Sequence, residues 1–469
     1  MPRHFTYKSL EEISLEAEWR TGHVRFEPDR AQVRQILARP VRVGERQVGN
    51  SLAIHPMEGC DGTLDGRPGE LTWRRYKRFA AGGAKLVWFE ATAIREDGRA
   101  NTRQLWLNAN TRDDFARLIE TIRRDHAAAF GSAGDLLIPM QLTHSGRYSV
   151  PQRVIAYHNP HVDHKTNTTP SLEPIADGEL ERLEDFYVEA AGRALEAGFD
   201  AIDIKITHGY LLSELTGAKT RPGPYGGPLQ NRLRLPVNVI RKVRARFGKK
   251  ILIAARLGCF DGVPYGCDFE RPYPYGFGVD PQNPLVESLA EVKQAILLLR
   301  DAGLELLNVS LGVPYYNPHV VRPFERPDDG NYESPEHPMD GVDRHFRIAG
   351  ELQRTFPDLP MVGSGYSWLQ KYSINAAAHN VALGAIRIAG LGRNSLAYPD
   401  FGRDALEKGE LDERRTCKTL TYCTYLMRRK DHPLGQFPTG CPPFDKEGYG
   451  QIMKEARIVQ RTGGQPGSA

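Results

Sequence analysis

Three side chains that can move protons stand close together in the middle of the chain: Lys205, His208 and Tyr210. Lys205 is the penultimate residue of the run DAIDIKI, and His208 and Tyr210 follow that run. The alternation of charged and branched apolar residues in the run predicts a β-strand. Amines, imidazoles and phenols act as general acids and bases in enzymes. Taken singly, a tyrosine beside two leucines or an isolated histidine is more often structural. Their shared place at one strand end favours a functional site.

Two glycine-rich segments late in the chain have the composition of an anion-binding site. VGSGY contains Gly363, Ser364 and Gly365, and GLGRN contains Gly392 and Arg393. Glycine lets backbone N–H groups come close to an anion, and arginine adds a charged fork. Either segment alone is weak, because ordinary turns also need glycine. Together, after two successive predicted strands, they predict a phosphorylated ligand.

Two polar residues inside apolar runs also suggest a bound ligand. Gln141 ends the run DLLIPMQL, and Arg256 interrupts ILIAARLG. A buried arginine needs an anionic or electron-rich partner. A glutamine both donates and accepts, which suits a planar ring with mixed edges. The alternative is a structural Arg256 that pairs with a carboxylate inside the fold, and the sequence leaves both interpretations open.

The elements that must position these residues are short apolar runs that alternate with amphipathic helices. Such alternation indicates a parallel sheet, and eight units predict an α/β fold of the (β/α)8 TIM-barrel type. A doubly wound open sheet is the alternative, although it usually has fewer strands. In a barrel the chemistry lies at the C-terminal strand ends, so these side chains are expected to share one mouth. The runs are NSLAIHPM, AKLVWFEAT, DLLIPMQL, DAIDIKI, KKILIAARL, LELLNVSL, PMVGSGY and GAIRIAGLG.

One domain is expected for the whole chain of 469 residues. We place the barrel at about residues 45–410, with residues 1–44 and 411–469 as extensions packed on it. Long ordered loops in compact domains are commonly lids or binding loops, and aromatic residues disfavour the alternative of disordered insertions. Three aromatic-rich βα connections are of this kind, at residues 144–179, 259–284 and 312–342.

The composition excludes several classes of function. Hydrophobic residues make up 40% of the chain and charged residues 26%, which is typical of a globular protein. The net charge is only +4, and no basic block suits nucleic acid. The first residues lack the apolar core of a signal peptide, and no apolar run approaches membrane-spanning length. We therefore expect a cytoplasmic protein with a small-molecule substrate, and the sequence leaves open whether it forms a homo-oligomer.

The motifs, in their order, resemble the old yellow enzyme family of FMN-dependent oxidoreductases. The resemblance runs from about residue 30 to about residue 410. Its sharpest element is HGYL with YGG and NRLR downstream, and the other motifs are HPMEG, FEATA, QLTHSGR, ARLG, VSLG, VGSGY and GLGRNSLAYPDF. The resemblance implies a barrel that holds FMN noncovalently and takes electrons from NAD(P)H.

The resemblance also assigns the contacts of the FMN. The phosphate is expected at the two glycine-rich segments. Pro56, Met57 and Ala91 are expected to pack against the isoalloxazine ring. Gln141 is expected to bond the pyrimidine edge, and Arg256 to lie near N1 and O2, where it stabilises negative charge on the reduced ring. Flavin supplies the redox chemistry, and the protein supplies orientation and electrostatics.

For the substrate, the resemblance implies reduction of a C=C bond conjugated to a carbonyl. Relatives usually place a His, with a second His or Asn three residues on, to bond the carbonyl oxygen. His208 fits this pattern and Lys205 departs from it. A lysine can polarise a carbonyl more strongly, bind a carboxylate or thioester-linked substrate, or simply pair with a carboxylate. Tyr210 matches the residue that protonates the α-carbon after hydride reaches the β-carbon.

Glu58 is a second departure, because relatives often have Thr or Cys at this place near the flavin carbonyls. An ionised carboxylate there would lower the flavin potential, since it disfavours the anionic reduced ring. Lys205 is one candidate partner for it.

The cysteines do not have the spacing of a metal site, which requires a pattern such as C-x-x-C. Larger relatives carry an iron–sulfur cluster and further nucleotide-binding domains after the barrel, and their cluster motif begins near Cys417. Its close cysteines are absent here, with Cys423 and Cys441 next along the chain. We expect isolated thiols, no metal, no cluster and no second flavin.

Three other functions stay open on the sequence. A flavin enzyme of this kind can work in the oxidative direction, as a dehydrogenase or demethylase. A flavin-binding protein without turnover is the second, because Lys205 breaks the family pattern. A barrel enzyme with a phosphorylated substrate and no flavin is the third.

Overall fold

Parallel β-strands form a closed barrel at the centre of the protein. The computed structural model describes residues 3–327 and 332–461. The strands are β1 (Val41–Val43), β2 (Arg46–Val48), β3 (Leu52–Ile54), β4 (Leu86–Val87), β5 (Phe89–Ala93), β6 (Pro139–Thr143), β7 (Ala201–Ile206), β8 (Leu252–Gly258), β9 (Leu306–Ser310), β10 (Met361–Gly363) and β11 (Ile388–Leu391). Trp88 alone separates β4 from β5, so the order β4-β3-β11-β10-β9-β8-β7-β6-β5 closes into an eight-stranded barrel. The predicted fold is confirmed.

Helices connect the strands and cover the barrel. They are α1 (Leu10–Arg20), α2 (Arg30–Leu37), α3 (Glu70–Ala80), α4 (Arg112–Phe130), α5 (Pro160–Thr166), α6 (Asp177–Glu196), α7 (Leu211–Thr216), α8 (Leu229–Arg232), α9 (Arg234–Phe247), α10 (Leu289–Ala302), α11 (Pro318–Val321), α12 (Pro338–Thr355), α13 (Ser373–Ala382), α14 (Arg393–Ala397), α15 (Phe401–Glu407), α16 (Tyr422–Arg428) and α17 (Lys446–Arg461). None of those in the described part of the chain has the length and apolar character needed to span a membrane.

The barrel interior is apolar at its base and polar at its mouth. Successive strand residues point to opposite faces, so residues two apart share the interior. Ala254 and Leu306 belong to an apolar cluster at the base. Two positions further along the same strands, Arg256 and Asn308 are buried polar residues. The antiparallel hairpin of β1 and β2 adds three valines to the basal cluster, which leaves the opposite end for polar chemistry.

The two terminal extensions pack on the barrel. Helix α1 contacts α12, and α2 contacts α13 and α15. Helices α16 and α17 share a small apolar core of their own. The segment between them reaches the mouth, where the Thr439 backbone N–H donates to the Gly59 carbonyl at 2.6 Å and the Thr102 hydroxyl donates to the Leu434 carbonyl at 2.5 Å. The exact division into barrel and extensions stays a prediction.

The three long connections pack on one another through aromatic side chains. Tyr148 of the first stacks on Tyr315 of the third, with ring centroids 3.6 Å apart. Tyr157 of the first stacks on Tyr275 of the second at 6.3 Å. Residues 328–331 of the third lie outside the described residues. The loops therefore form a linked rim, and their role as lids stays a prediction.

Candidate active site

The predicted grouping of Lys205, His208 and Tyr210 is present at the barrel mouth. Lys205 lies near the end of β7, and the other two lie in the turn that leads into α7. His208 has a φ of +69° and Gly209 one of +74°, so the chain reverses sharply here. This turn places the Lys205 ammonium 3.8 Å from the centre of the Tyr210 ring. His208 Nε2 lies 3.1 Å from the Ser310 hydroxyl at the end of β9.

A second tyrosine contacts the predicted acid. The hydroxyls of Tyr210 and Tyr315 lie 3.1 Å apart. Tyr148 stacks behind Tyr315 with an angle of 17° between the rings. These three phenols come from three different βα connections and line one side of the mouth.

Burial decides which protonation states these groups have near neutral pH. Burial raises the pKa of the Tyr210 phenol well above its usual value, so this phenol is protonated and can donate. Burial lowers the pKa of His208 well below its usual value, and the charges of Arg256 and Lys205 lower it further. His208 is therefore a neutral imidazole, which can donate one hydrogen bond and accept another.

Glu58 and Lys205 shift each other's pKa beside the phenol. Glu58 Oε1 accepts a hydrogen bond of 2.7 Å from the Asn101 side chain. Burial raises the pKa of Glu58, and the Lys205 charge opposes that rise. Burial also lowers the pKa of Lys205 to about 8; Glu58 opposes this shift, and Arg256 adds to it. The sequence-based suggestion that Glu58 and Lys205 interact is thus consistent with the charges around them.

Gln141 is held in one orientation by Asp203. The carboxylate of Asp203 accepts from Gln141 Nε2 at 2.6 Å and from Trp88 Nε1 at 2.8 Å. Since the amide nitrogen of Gln141 is used inside the barrel, its carbonyl oxygen is left as an acceptor. An acceptor of this kind suits an N–H group on the edge of a flavin.

Arg256 fits a ligand better than it fits the structural alternative. It is 8% exposed, and its Nε has no hydrogen-bond partner. Within the described ranges no carboxylate forms an ion pair with it. Burial lowers its pKa to about 10, and Asp203 is the group that opposes this. A desolvated guanidinium without a partner is costly, and the ring of FMN would supply the missing acceptors.

The glycine-rich segments lie beside two arginines with unused donors. Gly365 has a φ of +98° and precedes the 3₁₀ turn Tyr366–Tyr372. The Ser364 hydroxyl donates to the Val309 carbonyl at 2.9 Å, so the inside of the barrel uses it. Arg393 Nη1 and Arg322 Nε are buried atoms without hydrogen-bond partners. Burial and the charge of the neighbouring Arg393 together lower the pKa of Arg322 to about 9.

The remaining predicted flavin contacts lie around the same mouth. Pro56 and Met57 follow β3, and Ala91 is a buried residue of β5. A Cβ added at Gly392 would lie 3.6 Å from Met57 Sδ, so the end of β3 adjoins the start of α14. The residues predicted to hold the ring and the phosphate therefore occupy neighbouring strand ends, and the buried arginine nitrogens without hydrogen-bond partners fit the acceptors of FMN.

A family profile identifies this arrangement. The NADH:flavin oxidoreductase / NADH oxidase family matches residues 37–275. The chain belongs to this family. An NADPH dehydrogenase of Geobacillus sp. is 29% identical over 245 residues, which cover 51% of the chain and 68% of that protein. An NADH oxidase of Thermoanaerobacter brockii is 24% identical over 403 residues, or 80% of the chain and 51% of that protein. The chain thus spans about half to two thirds of these relatives.

Solved structures of the family share the fold. The old yellow enzyme of Trypanosoma cruzi superimposes with a TM-score of 0.60 at 18% identity, over 81% of the chain and 94% of that protein. Identity this low establishes the fold alone. The expected relation to old yellow enzymes is confirmed, and so, at the level of the family, are FMN as cofactor and NAD(P)H as reductant.

Three residues of the site were not predicted from the sequence. Tyr315 and Arg322 belong to a long connection noted only for its aromatic content, and Asn101 lies in a loop after β5. The fragment VPYYNPHVVRP does contain both a tyrosine pair and an arginine. The irregular backbone of this fragment has no helix or strand period from which the direction of these side chains could be predicted.

If Arg322 and Arg393 bind the FMN phosphate, replacing either with methionine will weaken FMN binding. The loss of one charge-assisted contact, about 1.5–3 kcal/mol, corresponds to a Kd that rises roughly 10- to 100-fold. Riboflavin has no phosphate, so its Kd should stay within about 2-fold in the same variants. Quenching of flavin fluorescence by the apoprotein measures both constants.

Arg241→Met is the control, because Arg241 is exposed on α9. Its FMN affinity should equal that of the wild type. Equal losses for FMN and riboflavin in the Arg322 and Arg393 variants would contradict a phosphate contact and indicate a damaged fold.

Proposed function

We propose that the chain reduces a C=C bond conjugated to a carbonyl group, with NAD(P)H as the electron source. The observation that supports this most is the protonated phenol of Tyr210, which lies beside two further donors at one barrel mouth. A sensor or a purely structural flavoprotein has no need of an aligned acid. A buried acid next to carbonyl-binding groups suits proton delivery to a carbon atom.

Lys205 and His208 bind the carbonyl oxygen of the acceptor in this proposal. A neutral imidazole donates one hydrogen bond, and its other nitrogen is oriented by the contact with Ser310. The ammonium of Lys205 adds a full positive charge, which stabilises the oxyanion that develops on the carbonyl oxygen. FMN, when bound, supplies the hydride. Tyr210 donates the proton to the α-carbon.

The lysine biases the site towards acceptors with a strongly polar or anionic oxygen. Lys205 is a point charge, and its attraction for a carboxylate or an oxyanion is strong in a desolvated site. The Glu58 charge raises the pKa of Lys205 from the value that burial alone would give, which favours the charged ammonium. We therefore place enoates and thioester-linked acyl groups beside simple enones as substrate classes.

A visible spectrum of the purified protein, followed by anaerobic titration, tests the proposal. Flavin bands should bleach with NADPH or NADH and return when cyclohexenone or cinnamate is added. Bands that bleach and return only with oxygen would contradict alkene reduction. Bleaching of the bands by an amine or a saturated carbonyl compound would favour the oxidative direction. Absence of protein-bound flavin, after FMN has been added and the unbound FMN removed, would contradict flavin chemistry altogether.

Tyr210→Phe should separate the two half-reactions. Flavin reduction by NAD(P)H should stay within about 3-fold, because no proton is needed from the phenol in that step. Alkene reduction should slow by roughly 100-fold or more, as expected for loss of a general acid. Stopped-flow absorbance of the flavin measures each step, and equal losses in both would contradict the assignment of Tyr210 as the acid.

Lys205 should make the binding of an anionic probe depend on pH. Cinnamate keeps its negative charge from pH 6.5 to 9.5, whereas Lys205 loses its proton near pH 8. The Kd for the oxidised holoprotein should therefore rise above pH 8, approaching about tenfold per pH unit. Perturbation of the flavin spectrum reports the binding.

Two variants at position 205 test whether the lysine charge causes this pH dependence. Lys205→Met should bind cinnamate weakly at every pH, and Lys205→Arg should keep its affinity through pH 9.5 because arginine stays charged. A flat wild-type profile, or unchanged binding in Lys205→Met, would make Lys205 a structural partner of Glu58.

A further inference from the structure

The phenol of Tyr210 has no direct route to solvent. Tyr210 is only 4% exposed, whereas Tyr315 is 43% exposed. Their hydroxyl oxygens lie 3.1 Å apart, within hydrogen-bond distance. Tyr315 therefore joins the buried acid to a side chain that reaches the surface, although burial raises the pKa of the Tyr315 hydroxyl itself.

We propose that Tyr315 is a relay and positioning residue that returns a proton from water to Tyr210 after each turnover. This rests on the proposed role of Tyr210 as the acid. In the chemical step the O–H bond of Tyr210 breaks and a C–H bond forms on the α-carbon. The O–H bond of Tyr315 then breaks as that of Tyr210 re-forms, and water reprotonates Tyr315. One proton leaves the solvent per turnover, and the relay itself transfers no electrons.

The groups around Tyr210 make a rapid return of the proton necessary. A phenolate in a desolvated site is unfavourable, and the adjacent Glu58 carboxylate makes it more so. The Lys205 ammonium, 3.8 Å from the centre of the ring, attracts the phenolate. In the proposed mechanism the same ammonium binds the carbonyl oxygen of the next acceptor. Tyr315 is the hydroxyl already in contact with Tyr210.

Tyr315 is held in place by its own loop. The Asn317 side chain accepts from the Val313 backbone N–H at 2.7 Å and donates to the Asp261 carbonyl at 2.6 Å. These bonds anchor the residues on both sides of Tyr315 to the neighbouring connection after β8. Stacking on Tyr148 fixes the plane of the ring. These contacts favour the position in which the Tyr315 hydroxyl meets that of Tyr210.

Glu58 is the rival proton source. Its carboxyl lies beside the same phenol, and burial raises its pKa. However, it already accepts from Asn101 at 2.7 Å, and the Lys205 charge favours its ionised form. Its contact with Tyr210 also favours the carboxylate, which accepts from the phenol in that contact.

Tyr315→Phe removes only the relay hydroxyl and can be tested with the FMN holoprotein and cyclohexenone. The first turnover uses the proton already on Tyr210, so a pre-reduced variant should reduce one equivalent of enone within about 3-fold of the wild-type rate. Later turnovers should slow at least tenfold, which gives a burst of one product per flavin and a lower kcat with KM lowered in parallel. Rapid-quench product analysis under excess NADPH measures both phases.

Tyr265→Phe is the control, because it removes a hydroxyl from an exposed tyrosine of the neighbouring connection, whose ring contacts His319 and Tyr332. It should show neither a burst nor a loss in kcat beyond about 2-fold. Equal slowing of first and later turnovers in Tyr315→Phe would overturn the relay and make Tyr315 a packing residue. Normal later turnovers would also overturn it, and slow later turnovers in Glu58→Gln alone would assign the route to Glu58.

Failure of the relay and failure of the proposed function give different results. If Tyr210→Phe reduces the first equivalent of enone at the wild-type rate, the acid assignment fails and the relay fails with it. If Tyr210→Phe is slow while Tyr315→Phe turns over normally, only the relay is overturned. A solvent-isotope experiment on the wild type adds an independent check, since a relay predicts that more than one proton moves in the later turnovers.

Discussion

The closed parallel barrel restricts where charge can be placed, and the rest of the site depends on that restriction. Alternate residues of each strand face the axis, so every strand contributes to the same stack of interior layers. Ala201, Ala254 and Leu306 form part of the apolar base. Two positions further along, Asp203 and Arg256 can be accommodated only because the mouth offers partners or a bound ring. Polar chemistry therefore concentrates at one end of the barrel.

Positive charge dominates that end, and the carboxylates of Glu58 and Asp203 oppose it. Lys205 and Arg256 are neighbours in the pairing of β7 with β8, and the Arg256 charge adds to the lowering of the Lys205 pKa by burial. Glu58 opposes this at Lys205. The result is a site that attracts electron-rich oxygen while its phenol and imidazole stay neutral. This balance supports hydrogen-bond donation to a developing oxyanion more than it supports base catalysis.

A buried ion cluster holds the loop that carries the Glu58 carboxylate. Arg75 of α3 pairs with Asp61 and Glu90 at 2.5 Å each, and Glu90 accepts from the Gly59 backbone N–H at 2.7 Å. A Cβ at Gly59 would lie 2.2 Å from Arg75, so this glycine is required for close packing. The Tyr449 hydroxyl of α17 accepts a hydrogen bond of 3.2 Å from Arg75 Nη1, which ties the C-terminal extension to the same cluster. Breaking such a cluster from one side is costly, because it leaves a buried charge without a partner.

Features with a local signal could be predicted from the amino-acid sequence. Strand and helix periods determined the barrel, and Lys205 and Tyr210 were predictable as site residues because they lie at one strand end. Tertiary structure alone decided the contacts between distant segments. The approach of Tyr315 to Tyr210 depends on an irregular loop, and the orientation of Gln141 depends on its pairing with Asp203 across two strands. Such contacts follow from barrel closure and loop packing, which leave no periodic trace in a single sequence.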